Sequence, residues 1–274
     1  MAVFDRGLPV SVVMYHSVGE ADDPYTVSPL AFRRQIECLA RNFDLIRLRD
    51  LRRLTGRQDV GRRKVAITFD DAFCDFEETA LPILLRQATP VTVFVPTAFV
   101  GKANEWDAPF TRCRRKPIMN AGALQRVKDS GLVDFGSHTV DHCRMSELSV
   151  EQMRHQVRGS KRALELTLST PVDLFSYPYG RPEDCSRLTQ RVLLEEGFTV
   201  AVTTQWTTRA READLTTCGR ISFNEGDDDR TVCAKVGGLY DWIGLKMQIG
   251  SRLRVLKTRV SRNATARRLG TVTR

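Results

Sequence analysis

Three observations predict an α/β fold with a mostly parallel sheet, closed as a distorted (β/α)7-type barrel in a single domain. Apolar, β-branched runs alternate with amphipathic helical runs along nearly the whole chain, which is the pattern of βαβ units. Such units recur about seven times, which suits a barrel better than an open sheet. The most unusual polar residues also fall where strands give way to loops, the end of a barrel that carries its site.

Taken in order, PVSVVMYHSV (9–18) reads as a strand that ends in Tyr15-His16. SPLAFRRQIECLARNF (28–43) sets Phe32, Ile36, Leu39 and Phe43 on one helical face, with Ser28 as cap and Pro29 at the first helical position. DLIRLRDLRRL (44–54) gives a short strand and a helical turn, and KVAITFDD (64–71) the next strand. ETALPILLRQ (78–87) reads as a helix and PVTVFVPT (90–97) as a strand. Residues 100–120 form a long irregular stretch, a length that often marks function. AGALQRVKDSG (121–131) is a helix stopped by Gly131, and VDFGSHTVDH (133–142) a strand running into a polar loop. SVEQMRHQVRGSKRALELTL (149–168) is an amphipathic helix with Ser149 and Gln152 in capping-box spacing. PVDLFSYPYG (171–180) is a strand turning at Pro178, CSRLTQRVLLEEGF (185–198) a helix, and FTVAVTT (198–204) and TCGRISF (217–223) the closing strands.

Composition adds boundaries. The chain is 42% hydrophobic and 27% charged, ordinary values for a globular protein. The odd count of seven cysteines, none in a CxxC pair, argues against a disulfide framework or a cysteine–zinc site. The net charge of +9 belongs to residues 246–274, where nine Lys and Arg stand with no acid; the rest of the chain holds 33 bases and 33 acids. A neutral body argues against nucleic acid as partner. The basic tail is expected to be solvated or to touch anionic lipid peripherally. Residues 242–260 interleave apolar side chains with the charges as an interfacial helix does. No apolar run approaches the roughly 20 residues of a membrane span. The N-terminal stretch lacks a signal-peptide core, so the expected place is the cytoplasm, with the inner membrane face as an option. Residues 1–245 are read as the catalytic domain and 246–274 as a tail.

Four polar features sit at strand ends: His16, Asp70-Asp71, His138 with His142, and Tyr177-Pro178-Tyr179-Gly180. His138 and His142 stand at i, i+4, which on a helical turn puts both imidazoles on one side. An isolated HxxxH is more often chance than a site. Here two of only four histidines form the pair, directly after a Gly-Ser strand exit, and an Asp-Asp strand end accompanies it. Asp71 supplies an oxygen, and two nitrogens plus one oxygen suit Zn²⁺ or a related divalent ion such as Co²⁺ or Ni²⁺. Successive strand residues point apart, so Asp70 is left to face the attacking water as general base; a helix cap is its bland alternative.

These residues resemble the polysaccharide deacetylases, the NodB-like carbohydrate esterase family 4. Thr68-Phe69-Asp70-Asp71 matches the family's TFDD, His138-Thr139-Val140-Asp141-His142 its H-S/T-x-x-H, and Ser176 to Gly180 its R-x-P-Y/F-G. The resemblance covers about residues 8–225. It implies metal-dependent removal of N- or O-acetyl groups from sugars, with Asp70 as base and Asp71, His138 and His142 on the metal. Two departures stand out. Ser176 replaces the Arg that helps position the base, with Arg181 and Arg220 as possible substitutes. No His follows His155, where the family's late catalytic histidine belongs. Met14-Tyr15-His16-Ser17-Val18 instead is similar to the early Tyr-His strand end of bacterial poly-N-acetylglucosamine deacetylases. His16 is accordingly expected as general acid and oxyanion stabiliser, against the alternative of a structural histidine. Tyr177, Pro178 and Tyr179 are candidates for substrate contact or packing, with backbone N–H groups near Tyr179 aimed at the oxyanion. Trp106 reads equally as a sugar-stacking face or a loop anchor.

The expected substrate is an N-acetylglucosamine-type oligo- or polysaccharide or a lipid-linked glycan precursor. The alternatives are a deformylase or deacetylase of lipid-linked sugar at the cytoplasmic membrane face, and an inactive carbohydrate-binding homologue. The sequence leaves the oligomeric state open.

Overall fold

The structure, a computed structural model, describes residues 10–20, 23–54, 61–107, 115–208 and 212–246. The elements run β1 (Val10–Tyr15), β2 (Ser17–Val18), β3 (Thr26–Val27), α1 (Pro29–Asn42), β4 (Asp44–Ile46), α2 (Leu51–Leu54) and β5 (Lys64–Phe69). They continue with α3 (Leu81–Arg86), β6 (Val91–Val95), α4 (Ala121–Asp129), β7 (Val133–Ser137), α5 (Val150–Leu168), β8 (Leu174–Ser176), α6 (Arg187–Glu195), β9 (Val200–Val202), β10 (Ile221–Ser222) and α7 (Asp229–Val236).

One parallel sheet carries the order β10-β1-β5-β6-β7-β8-β9. A bridge from Val202 to Cys218, just ahead of β10, brings its two edges together. This is the expected distorted (β/α)7 barrel. The distortion has a visible source at β5. One edge of β5 pairs with β1 along its full length, while the other is shared: β4 takes Lys64 to Ala66, and β6 takes Ile67 to Phe69.

Strand alternation divides the core in two. Val10, Val12, Ala66, Phe94, Leu174, Val200 and Val202 pack together inside the barrel. Val13, Tyr15, Ile67, Phe69, Val93 and Phe175 join a larger outer core with helix residues such as Phe32, Ile36 and Leu39. Gly136 on β7 makes the inner packing possible, because a Cβ there would lie 2.4 Å from the Phe94 ring.

Local signals account for most helices. Ser28 caps α1 by accepting from Ala31 N–H, and Ser149 and Gln152 form both halves of the capping box of α5. The helix expected at 78–87 is different in kind. It begins as a π-helical turn, Phe76–Ala80, with Leu81 N–H reaching Phe76 O. Pro82 is the reason: its nitrogen cannot donate to the carbonyl four residues back, and its ring crowds that carbonyl. The strand expected over 171–180 is shorter too, because the chain leaves the sheet ahead of Pro178. In the long stretch 100–120, Ala103 bridges Pro117 and Phe73 bridges Ile118, so its described parts are tied to each other and to the β5 exit.

Candidate active site

Each candidate side chain owes its direction to the strand it leaves. Tyr15 faces outward, where its ring stacks on Phe69 at 5.3 Å and its hydroxyl donates to Gln35 Oε1 at 2.9 Å. Met14 and His16 therefore face the barrel mouth. On β5, Phe69 faces outward and Thr68 and Asp70 inward, and Asp70 N–H donates to Tyr15 O at 3.0 Å. On β7, Ser137 bonds Ser160 of α5, so Gly136 and His138 face in. On β8, Ser176 faces in and Tyr177 out.

The chain then turns in left-handed conformations: Asp71, Ala72, Thr139, His142 and Tyr179 all have φ between 50° and 75°. Few non-glycine residues adopt this region, and those that do gather at functional sites. The His138–His142 segment is thus no helical turn, as its spacing predicted. It is a loop held from behind by Gln156 of α5, whose Oε1 accepts from both Val140 and Asp141 N–H at 3.0 Å. The histidines still converge, with ring centroids 4.8 Å apart.

Asp71 Oδ1 lies 3.5 Å from His138 Nε2 and 3.3 Å from His142 Nε2. The three donor atoms lie within 4.8 Å of one another, and all three residues are buried. Two observations test whether this set fits a metal. First, bonds of about 2.0–2.1 Å in a tetrahedral zinc site separate neighbouring ligand atoms by about 3.3 Å, the spacing seen from Asp71 to each histidine. Second, His138 Nδ1 lies 2.8 Å from the Ser176 carbonyl, which fixes that nitrogen as the N–H donor. Nε2 then turns a bare lone pair toward the Asp71 carboxylate. Burial pushes the His138 pKa down, so a second proton is a poor remedy and a cation the better one. A backbone carbonyl behind a ligand histidine is also how metal sites fix ring orientation. The residues fit a divalent ion.

Asp70 stands beside this set with another partner. Arg220, fully buried, donates from Nη1 to Asp70 Oδ1 at 2.8 Å and from Nη2 to Oδ2 at 2.6 Å. The remaining donors reach Thr68 Oγ1, Ser176 Oγ and Thr203 O. All five guanidinium donors are satisfied, the condition under which a buried charge pair holds. Burial alone would raise the Asp70 pKa, but the Arg220 guanidinium outweighs it and holds the carboxyl far below the usual carboxylate range. Arg220, not Arg181, is therefore the guanidinium that pairs with Asp70 beside Ser176. Arg181 lines the pocket wall instead.

His16 Nε2 lies 4.0 Å from Asp70 Oδ2, too long for a hydrogen bond but within one short movement. Burial lowers its pKa more than the nearby Asp70 and Asp71 raise it, so the imidazole is neutral near pH 7.

His16, Asp70, Asp71, His138 and His142 share one pocket of about 290 Å³, with Tyr25, Trp106 and Tyr179 among its walls. Trp106 stacks on His142 at 4.2 Å and meets Phe99 edge-on at 4.7 Å. It is a loop anchor and a pocket wall together. Tyr179 meets the His142 ring at 5.1 Å. Tyr177 lies outside the pocket: its ring is fully buried in the outer core, and its hydroxyl donates to Thr216 O at 2.9 Å. Pro178 is buried and is not part of the pocket lining. Sequence reasoning missed Tyr25, half exposed and 5.2 Å from the His16 ring; a polar loop gave no signal for it. Arg220 did leave one, a charged residue leading an apolar strand.

The family profile for polysaccharide deacetylases matches residues 57–201, just over half of the chain. That span holds Asp70, Asp71, His138, His142 and the 176–180 turn, and leaves out His16 and Arg220. The Bacillus subtilis protein YxkH, named for the same family, is 23% identical over 224 residues, 81% of this chain and 74% of that protein. The poly-β-1,6-N-acetyl-D-glucosamine N-deacetylase of Staphylococcus epidermidis is 23% identical over 186 residues, 64% of this chain and 62% of that protein. Among solved structures, IcaB from Ammonifex degensii superposes with a TM-score of 0.71 at 23% identity, covering 84% of this chain and 98% of that one. The Streptococcus pyogenes deacetylase PplD gives 0.69 at 20% identity, covering 83% and 97%. These two likenesses concern the fold.

Proposed function

The chain belongs to the polysaccharide deacetylase family, and from that premise we propose that it is a metal-dependent N-deacetylase of N-acetylglucosamine-type glycans. The observation that carries this reading is the convergence of Asp71, His138 and His142 beside an ionised Asp70, with His16 across the same pocket.

Asp71, His138 and His142 would hold a divalent ion, Zn²⁺ first with Co²⁺ or Ni²⁺ as alternatives, which would supply Lewis acidity toward water and the acetyl carbonyl. Asp70 takes the proton of the attacking water. A carboxylate with so low a pKa is a weak base, which is why its task needs water made more acidic. Arg220 keeps the carboxylate ionised and fixes both oxygens. His16 passes a proton to the sugar nitrogen as the C–N bond breaks, and acetate and a free amine leave. A neutral His16 must first gain that proton, and Asp70 Oδ2 at 4.0 Å is the nearest carboxylate source.

Chelation of the purified protein is expected to abolish acetate release from β-1,6-linked N-acetylglucosamine oligomers, and Zn²⁺, Co²⁺ or Ni²⁺ to restore it. No acetate from any N-acetylated oligomer, with metal bound, sinks the reading. His16 has its own test. An amine is a poor leaving group without a proton, whereas a phenolate needs none. His16→Ala is expected to lower kcat on N-acetyl sugars about 10²- to 10⁴-fold and to spare an aryl acetate. Equal losses on both substrates would remove His16 from the acid role.

A lipid-linked substrate at a membrane face is the second reading, and the nine bases without an acid in 246–274 favour it. Apart from Lys246 that segment lies outside the described residues, and among these no helix is long and apolar enough to cross a membrane. Flotation on anionic vesicles with and without residues 246–274 tests it; equal, salt-insensitive binding rejects it.

A further inference from the structure

Behind the metal set lies a second group of side chains that no motif includes. Asp184 is fully buried, yet it belongs to neither the base nor the metal cluster. Its Oδ1 accepts from Ser146 Oγ at 2.6 Å and Ser146 N–H at 3.3 Å, and its Oδ2 from Arg181 N–H at 3.2 Å. It thereby ties the loop after His142 to the loop after Tyr179. It also faces a cation: Arg144 Nη1 lies 3.5 Å from Asp184 Oδ2. The Arg144 guanidinium sits over the Tyr179 ring, 3.9 Å from its centroid, and Tyr179 in turn packs against His142. Trp106 covers His142 by stacking.

We infer that Arg144 and Asp184 are positioning residues for the metal: through Tyr179 they set the His142 imidazole against Trp106. This rests on the metal-dependent reading above. The physical need is specific. His138 is oriented by a hydrogen bond to the Ser176 carbonyl, and His142 leaves a left-handed backbone, φ +51°, within a loop. The rings of Trp106 and Tyr179 pack on its imidazole, and that packing is only as firm as Tyr179. Tyr179 is itself left-handed, φ +60°. Its carbonyl is held by Thr204 Oγ1 at 2.6 Å, and its ring is backed by a cation fixed to a buried carboxylate. Outer groups that orient a ligand commonly govern metal affinity 10- to 100-fold.

The test is Arg144→Leu, at a partly exposed position, with Arg144→Lys and Asp184→Asn beside it. Zn²⁺ affinity is read by competition with a chromogenic chelator, and Co²⁺ by its visible spectrum. Arg144→Leu is expected to weaken Zn²⁺ binding about 10- to 100-fold and to alter the Co²⁺ bands. The metal-free melting temperature should fall, because buried Asp184 loses its cation, but by less than that of the metal-loaded protein, and excess metal should recover most of kcat. Lysine should rescue little, because an ammonium has no planar face to lie on Tyr179. Zn²⁺ affinity within twofold of wild type in both Arg144 variants overturns the inference, as does a metal-free protein destabilised as much as the loaded one. A raised KM at unchanged metal affinity overturns it too, since it would make Arg144 a substrate contact. Wild-type protein that binds no metal would instead defeat the functional reading beneath it.

Discussion

Asp70→Asn is expected to lower kcat on N-acetylglucosamine oligomers by about three orders of magnitude, the middle of the range for losing a general base. Metal content should not change. The amide is nearly isosteric, and Asp71, His138 and His142 retain their atoms, so the ion site survives while the proton acceptor is lost. A second effect accompanies the first. Arg220 is fully buried and faces this carboxylate with two of its donors. Neutralising Asp70 leaves a guanidinium without its counter-charge, a change that costs about 3–5 kcal/mol when one partner of a buried pair goes. The variant should therefore be both inactive and less stable, with metal still bound. Acetate release, metal content and melting temperature together check this. Retained turnover would show that another group takes the proton; lost metal would show that Asp70 serves the ion rather than the water.

Much of the site could be read from residue order because strand alternation carries direction. TFDD at a strand end already implied that Asp70 and Asp71 diverge, and that one meets the histidines while the other does not. The same rule, applied to Ser176-Tyr177, would have turned Tyr177 away from the mouth. A motif match made both tyrosines look alike. What the sequence left open depends on contacts between strands distant in the chain. Arg220 reaches Asp70 across 150 positions, and its place at the head of an apolar strand marks it as unusual without naming its partner. The histidine pair was found by spacing, but its conformation was not. Five left-handed non-glycine residues at the site, Asp71, Ala72, Thr139, His142 and Tyr179, are strained choices that only surrounding contacts, such as Gln156 behind Val140 and Asp141, make tenable. The π-helical start at Phe76 was legible in principle, since Pro82 forbids the ordinary hydrogen bond.

Arg220→Ser is expected to disable the protein nearly as fully as loss of Asp70, and Ser176→Arg in the same chain to restore much of what was lost. The reasoning is geometric. Ser176 Oγ already lies 3.1 Å from Arg220 Nη2, so a guanidinium built from position 176 enters the space that the one from 220 leaves. Burial alone raises the Asp70 pKa. Without any guanidinium the carboxyl drifts toward its protonated form, and the base weakens as its stabilising charge is lost. The single Arg220→Ser variant should lose about 10²-fold or more in kcat, in keeping with loss of a correctly ionised general base. Its rate should also climb with pH further into the neutral range than that of wild type. The sign for stability follows the same shift. The folded-state pKa of Asp70 lies below its unfolded value, so the pair stabilises the fold above the unfolded pKa, and that contribution fades as pH falls toward the folded one. The gap in melting temperature between wild type and Arg220→Ser should then be widest near neutrality and narrow in acid. The double variant should close most of that gap and return kcat to within about tenfold of wild type, the scale of a single well-placed charge-assisted contact. A double variant no better than Arg220→Ser alone would mean that the strand bearing the guanidinium matters as much as its charge, and that position 220 cannot be exchanged for the family's position at 176.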